Sequence, residues 1–165
     1  MHGIKMNSLK RTATIRKMRT EDIEDIGRIF NLITKKTVKI DFRELMTEQS
    51  QRNANSSCFI AEIDGKVVGF MIGHIITFGF DMERSAWIAT MGVDPKYMGG
   101  GIGARLANEL FDYYKSLGIT RIFTAVRWDS TDALSFFKTL GFNRSDFINL
   151  SKNFDIRSDS GFPSP

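Results

Sequence analysis

The sequence predicts a single α/β (α+β) domain built on a mixed, mostly antiparallel sheet flanked by helices. Three observations carry that expectation. Two β-rich runs meet at Asp64-Gly65 within "SCFIAEIDGKVVGFMIGHIIT" (57–77), and a turn whose two central positions both want φ > 0 is the strongest short-range hairpin signal. A further apolar run, "SAWIATMGV" (85–93), leads through Pro95 into the glycine-rich stretch "YMGGGIGARL" (97–106) and then an amphipathic helical pattern. Finally, 165 residues with 42% hydrophobic and 25% charged side chains are enough to bury one core and not enough to suggest two domains.

The elements follow in order. "ATIRKM" (13–18) alternates and reads as a short strand. Thr20 offers a helix cap, with Glu21 and Asp22 in the first turn, where carboxylates suit the helix dipole. Ile23, Ile26, Ile29, Phe30 and Ile33 then recur at helical spacing. "DFRELMTEQSQR" (41–52) reads as a second helix, before the hairpin and the strand at 85–93. Ile102, Leu106, Leu110, Tyr113 or Tyr114 and Leu117 trace one face of a helix that Gly118 can terminate. "TRIFTAVRW" (120–128) is a strand, Asp129 or Ser130 caps "STDALSFFKTL", Gly141 ends that helix, and "FINLSKN" (147–153) is the expected last strand. The expected domain runs from 13 to 153, with 1–12 as a disordered basic tail and 154–165 as a second tail punctuated by Pro163 and Pro165.

Composition excludes several classes. The single cysteine, Cys58, permits no internal disulfide and fits a reducing, cytoplasmic setting. No apolar run approaches the length of a membrane span, and no signal-peptide core follows the basic start. A net charge of +4 is compatible with an anionic ligand. The basic residues are spread along the chain without interleaved aromatics, which argues against nucleic acid.

The glycine stretch joins a strand end to a helix start, where unpaired backbone N–H groups converge and the dipole is positive. Glycine there lets the backbone approach an anion with no Cβ in the way. A phosphate or pyrophosphate cradle is therefore favoured over a merely flexible turn. The stretch lacks G-x-x-x-x-G-K-[ST], which excludes a nucleoside-triphosphatase loop. Gly99-x-Gly101-x-x-Ala104 does match the looser dinucleotide fingerprint, with Asp129 as a mimic of the ribose-binding acid. Against this, too little chain follows Asp129, and the preceding strands are joined by hairpins rather than helices.

Taken together, "MGVDPKYMGGGIGARL" and "AVRWDSTDALSFFKTLGF" (125–142), in this order of strands and helices, resemble the GNAT superfamily of acyl-CoA-dependent N-acetyltransferases over residues 13–153. The resemblance implies a central splay between the strands at 85–93 and 120–128. It implies acetyl-CoA as cosubstrate, no metal, and a primary amine (small molecule or protein N-terminus) attacking directly in a ternary complex. It assigns the pyrophosphate to the backbone of Gly99, Gly101, Ile102, Gly103 and Ala104, and the pantetheine arm to the backbones of Met91 and Val93. Backbone N–H near Val93 would stabilise the oxyanion. Ser130 and Phe137 fall at cofactor-side positions, and a homodimer is common in such proteins.

The chain also departs from the pattern. Met98 stands where glutamine or arginine is usual, so backbone amides must carry more of the phosphate. Ser130 replaces asparagine, Trp87 takes a position that holds a catalytic glutamate in some members, and Phe137 replaces a tyrosine that often protonates the leaving thiolate. The acid–base residues are therefore open. Glu83 competes with a role as a solvated turn residue, and His74 with a partly buried strand histidine. Asp129 competes with helix capping, Asp94 with a turn before Pro95, and Tyr97 is a substitute acid on the neighbouring loop. Phe78, Phe80 and Trp87 could line an acceptor site or simply pack a hairpin. Cys58 reads as a structural thiol. A CoA-binding regulatory module without turnover remains the competing class.

Overall fold

Among the described residues, five strands form one sheet in the order β1-β2-β3-β4-β5, with helices on both faces. The computed structural model describes residues 12–34, 56–77 and 83–154. β1 (Thr14–Lys17) pairs antiparallel with β2 (Ser56–Ile63), β2 with β3 (Lys66–Ile76), and β3 with β4 (Ser85–Val93). β5 (Ile122–Thr124) then pairs with β4 in parallel. Asp64 and Gly65 have φ of 51° and 74°, so the hairpin turn is of the kind their identities predicted.

α1 (Ile23–Thr34) lies on one face, where Ile23, Ile26 and Ile29 pack with Ile60, Val67, Phe70 and Ile72. α2 (Ile102–Ser116) lies on the other, where Ile102, Leu106, Leu110 and Tyr114 pack on Phe59, Val68, Met71 and Ile88. Each fully buried isoleucine or leucine of these faces contributes about 1.5–3 kcal/mol relative to exposure. α3 (Thr131–Thr139) follows β5, and its Phe137 meets Phe136 and Phe142 edge-on.

Thr20 does not cap α1. A 3₁₀ turn, Thr20–Asp22, precedes the helix, and the Asp22 carboxylate reaches back to accept from Arg19 N at 2.7 Å. The apolar face of α2 ends at Tyr114, for Leu117 is exposed, and Gly118 closes the helix at φ 74°. The strand expected over 120–128 contracts to three residues because β4 offers a partner only there. The strand expected over 147–153 does not form. Among the described residues no strand pairs with this segment, and Phe147 is taken up edge-on by Phe123 at 5.8 Å. Ile148, Leu150 and Phe154 are left exposed. The helix expected over 41–52, and Phe78 and Phe80, lie outside the described residues.

Two irregularities shape the sheet. In β3 the register with β2 shifts at Val68, where Ala61 pairs with Gly69 and Glu62 with Val67. In β4 the register with β3 shifts at Ala89, where Ile72 pairs with Thr90 but Gly73 with Ile88. The extra residue reverses the alternation of the strand. Ala86 and Ile88 face α2 before it, and Met91 and Val93 face the same side after it.

Candidate functional site

The bulge at Ala89 is also where β4 and β5 part. Their pairing covers Ala86–Ile88 against Ile122–Thr124 and then stops. At the fork, the Thr124 hydroxyl donates to the Ile88 carbonyl at 3.0 Å. Beyond it, residues 89–93 have no strand on their β5 side among the described residues. A cleft of about 210 Å³ opens there, lined by Ile88–Met91 from β4, Thr124–Arg127 after the fork, and Ser130, Ala133 and Phe137. A second backbone could therefore lie along this edge and complete it as an added strand would.

The chain leaves the open edge through Asp94 and a 3₁₀ turn, Pro95–Tyr97, to reach the glycines. Gly99 and Gly101 have φ of 81° and 74°, and a Cβ on either would meet no atom within 4 Å. These two positions thus need glycine for backbone conformation, and the space around them is open. Gly101 is the N-cap of α2 and brings no side chain to bond the first-turn amides. The first helical bond runs from Arg105 N to Gly101 O at 3.1 Å, so the N–H groups of Ile102, Gly103 and Ala104 find no acceptor among the described residues. That is a cradle of orphan donors at the positive end of a 15-residue helix. Gly103 has a different reason to be glycine: a Cβ there would sit 3.1 Å from the Phe136 ring and 3.4 Å from the Met91 methyl. It lets α3 close onto α2.

The expected cofactor residues divide accordingly. Met91, Ser130 and Phe137 line the cleft, while Gly99, Gly101, Ile102, Gly103 and Ala104 form the loop and first turn beside it. Val93 is buried and paired with Gly69 on β3, so only its backbone is placed along the open edge. Of the acid–base candidates none lines the cleft. Glu83 is exposed beyond the opposite end of β4, and His74 sits half-buried in β3 opposite Trp87. Burial holds the His74 pKa below its ordinary value, so the ring is neutral near pH 7. Asp129 does not cap α3. It is exposed and paired with Arg127, whose Nε donates to it at 2.8 Å and whose charge lowers its pKa. Tyr97 is half-buried against the core. Burial, with a smaller effect from Asp22, pushes the Cys58 thiol up to about 12, so it holds its proton and is no nucleophile.

Sequence reasoning missed Thr90, Thr124 and Arg127 as lining residues. The signal was present in the apolar spacing 86, 88, 91, 93, whose three-residue step marks a bulge. A larger cavity of about 700 Å³ lies elsewhere, on the outer side of β5 against Phe111, Ile119 and Phe142. It touches neither the glycines nor the open edge of β4. The orphan amides and the unpaired backbone are what give the smaller cleft its chemistry. Among the described residues no cluster of His, Cys, Asp or Glu could hold a metal ion, and no helix is long and apolar enough to cross a membrane.

Comparison with known proteins agrees with this geometry. Residues 23–142 match the acetyltransferase (GNAT) family. The N-alpha-acetyltransferase RimI of Mycobacterium tuberculosis is 36% identical over 114 residues, which cover 63% of this chain and 66% of RimI, just under two thirds of that relative. An aminoglycoside acetyltransferase from a soil metagenome, solved with sisomicin, superposes with a TM-score of 0.74 at 18% identity, covering 89% of this chain and 99% of the other. AAC(6')-Iy, solved with a bisubstrate analogue of CoA, does so with a TM-score of 0.74 at 17% identity, covering 86% and 98%. Both structures are similar to this chain in fold.

Proposed function

Since the chain belongs to the acetyltransferase (GNAT) family, we propose that it transfers an acetyl group from acetyl-CoA to a primary amine by direct attack in a ternary complex. The observation that carries this is the continuity of two features: an open edge at 89–93 and, one turn further on, orphan amides at 102–104. A thioester carrier needs both, an extended arm paired with a strand and a pyrophosphate on a helix N-terminus.

When bound, acetyl-CoA supplies an activated thioester. The chain's own groups do the rest. The amides of Gly99 to Ala104 hold the pyrophosphate, and Met98, exposed beside them, adds no charge. The backbone of Met91 and Val93 orients the arm. Phe137, 8% exposed, walls the cleft and excludes water. Thr124 is engaged at the fork, and Thr90 and Ser130 are the other hydroxyl-bearing residues of the cleft lining among the described residues.

No carboxylate or imidazole lines the cleft among the described residues. The acceptor must then reach it largely deprotonated. A lysine amine, with a pKa of about 10.4, needs a base, whereas an α-amine at about 7.7–8.0 needs little help. A protein or peptide N-terminus is therefore the acceptor class this site fits, in keeping with the similarity to an N-alpha-acetyltransferase. CoA release measured with a panel of peptide N-termini, polyamines and aminoglycosides tests the reading. Acetyl-CoA should stabilise the fold by ~2.7 kcal/mol at a hundredfold excess over Kd, and NADH should not. Stabilisation by acetyl-CoA with no CoA release from any amine would favour the non-catalytic CoA-binding module, which the lack of a carboxylate or imidazole in the cleft lining among the described residues also suits. Stabilisation by NADH alone would sink both.

The reading includes a cytoplasmic homodimer. Ile148, Leu150 and Phe154 are 75%, 87% and 76% exposed within seven residues, just past Phe147, which packs on Phe123 of β5. A second copy pairing there would cover them. Sedimentation should give a dimer that Leu150→Asp converts to monomer, and a wild-type monomer at high concentration would exclude it.

A further inference from the structure

A loop of glycines has no side chains with which to hold its own shape, so its geometry must be set at its ends. The far end is anchored by Ile102, the first residue of α2, which is buried in the core. The near end is Asp94, and every polar group of that residue is engaged. Its N–H donates to Val68 O at 2.8 Å, and its carbonyl accepts from Tyr97 N at 2.8 Å. Its Oδ1 accepts from Lys96 N at 3.0 Å, and its Oδ2 accepts from Arg28 Nη1 at 3.0 Å. The side chain is 4% exposed. The same guanidinium donates through Nη2 to Val67 O at 3.1 Å and through Nε to Asp25 Oδ1 at 3.1 Å. Val67 lies at the β3 bulge, whose next residue, Val68, takes the Asp94 amide. One arginine of α1 thus ties together the helix, the bulge of β3 and the exit of β4.

We propose that Arg28 is a positioning residue for the glycine loop, acting through Asp94 to hold the 3₁₀ turn from which Gly99 to Gly101 depart. The proposal rests on the reading of that loop as the pyrophosphate cradle. A planar guanidinium presents a rigid fork of donors that meets a carboxylate and a carbonyl at once, a geometry that the compact, rotating ammonium of lysine does not reproduce. Loss of that fork lets the turn shift while the hydrophobic core on either side stays in place. Displacements of about 1 Å originating far from a reacting centre can cost up to ~10²-fold, so a weakening of roughly tenfold is expected for a ligand held by loop amides.

The test compares Arg28→Lys and Asp94→Asn with Arg16→Lys, which weakens the separate Arg16–Asp22–Glu62 ion cluster at β1. All three should lower the melting temperature. Only the first two should raise the acetyl-CoA Kd by titration calorimetry, and the KM for acetyl-CoA, by roughly tenfold, with the acceptor KM unchanged. Acetyl-CoA binding by the wild type with an unaltered Kd in both variants would overturn the role of Arg28 and leave the cradle standing. No binding by the wild type would overturn the cradle itself. An equal loss of affinity in Arg16→Lys would reduce the pair to general stability and overturn the positioning role.

Discussion

Beside the fork, Gly73 of β3 pairs with Ile88 on one side and Ser57 on the other. A Cβ at Gly73 would collide with the Tyr114 hydroxyl and sit 3.2 Å from Trp87 O. Tyr114 is fully buried, and neither its hydroxyl nor that of Ser57 finds a hydrogen-bond partner among the described residues. Burial also pushes the Tyr114 pKa up to about 12, so the group stays protonated. Gly73→Ala forces the ring of Tyr114, and with it α2, away from the sheet. Overpacking of this kind costs about 1–3 kcal/mol, or a fall of about 4–8 °C for a ~2 kcal/mol loss in a chain of this size. Tyr114→Phe removes the colliding oxygen and one orphan polar group, so it should be neutral or stabilising by about 1 kcal/mol. The remaining ring carbon lies 3.3 Å from the added methyl, a contact that a small ring shift relieves. The double variant should therefore recover most of the loss, with a coupling of about 1–2 kcal/mol within the range seen for residues in contact. Urea melts of the four proteins, compared at constant m, measure it. Additive effects would refute the placement of Tyr114 under Gly73, and with it the seating of α2 beneath the bulge.

Gly101→Ala should cost about 1–2 kcal/mol from its left-handed backbone alone, since no atom crowds the new Cβ, and Gly101→Asn should cost less; equal melting temperatures for the three proteins would count against the loop conformation. Phe137→Tyr restores a hydroxyl at the cleft wall, and turnover should hold or rise, general acid catalysis being typically worth ~10²–10⁴-fold; a large fall in kcat with intact acetyl-CoA binding would show that the wall must be apolar, and a large fall in Tyr97→Phe would locate the acid there instead. His74 has a lowered pKa in the fold, so its contribution to stability is present above its unfolded value of about 6.5 and is lost as pH falls through the folded value. The drop in melting temperature from pH 7.5 to 5 should be smaller in His74→Gln, and an unchanged profile would remove this histidine from the acid sensitivity.

Local chemistry made much of this molecule legible in one dimension. Asp64-Gly65 announces its own turn because few other pairs tolerate two positive φ angles. The isoleucines of α1 and the apolar positions of α2 declare a buried face by their spacing. Glycines between a strand and a helix imply donors without acceptors, and the amides of Ile102, Gly103 and Ala104 have no acceptor among the described residues. Even so, the glycine motif alone did not show why position 103 must be glycine, for Gly103 makes room for Phe136, a side chain 33 positions away that only helix packing brings near.

What the tertiary structure decided is set by long-range register. Whether β4 runs straight or bulges at Ala89 depends on its pairing with β3, and that register determines where β4 and β5 separate and which side chains line the cleft. The engagement of Asp94 by Arg28, and the failure of 147–153 to become a strand, likewise follow from which partner is within reach. A sequence carries propensities residue by residue, which suffice for turns, faces and caps. Pair energies depend on distances between segments far apart in the chain, and those distances exist only once the sheet has closed on α1 and α2.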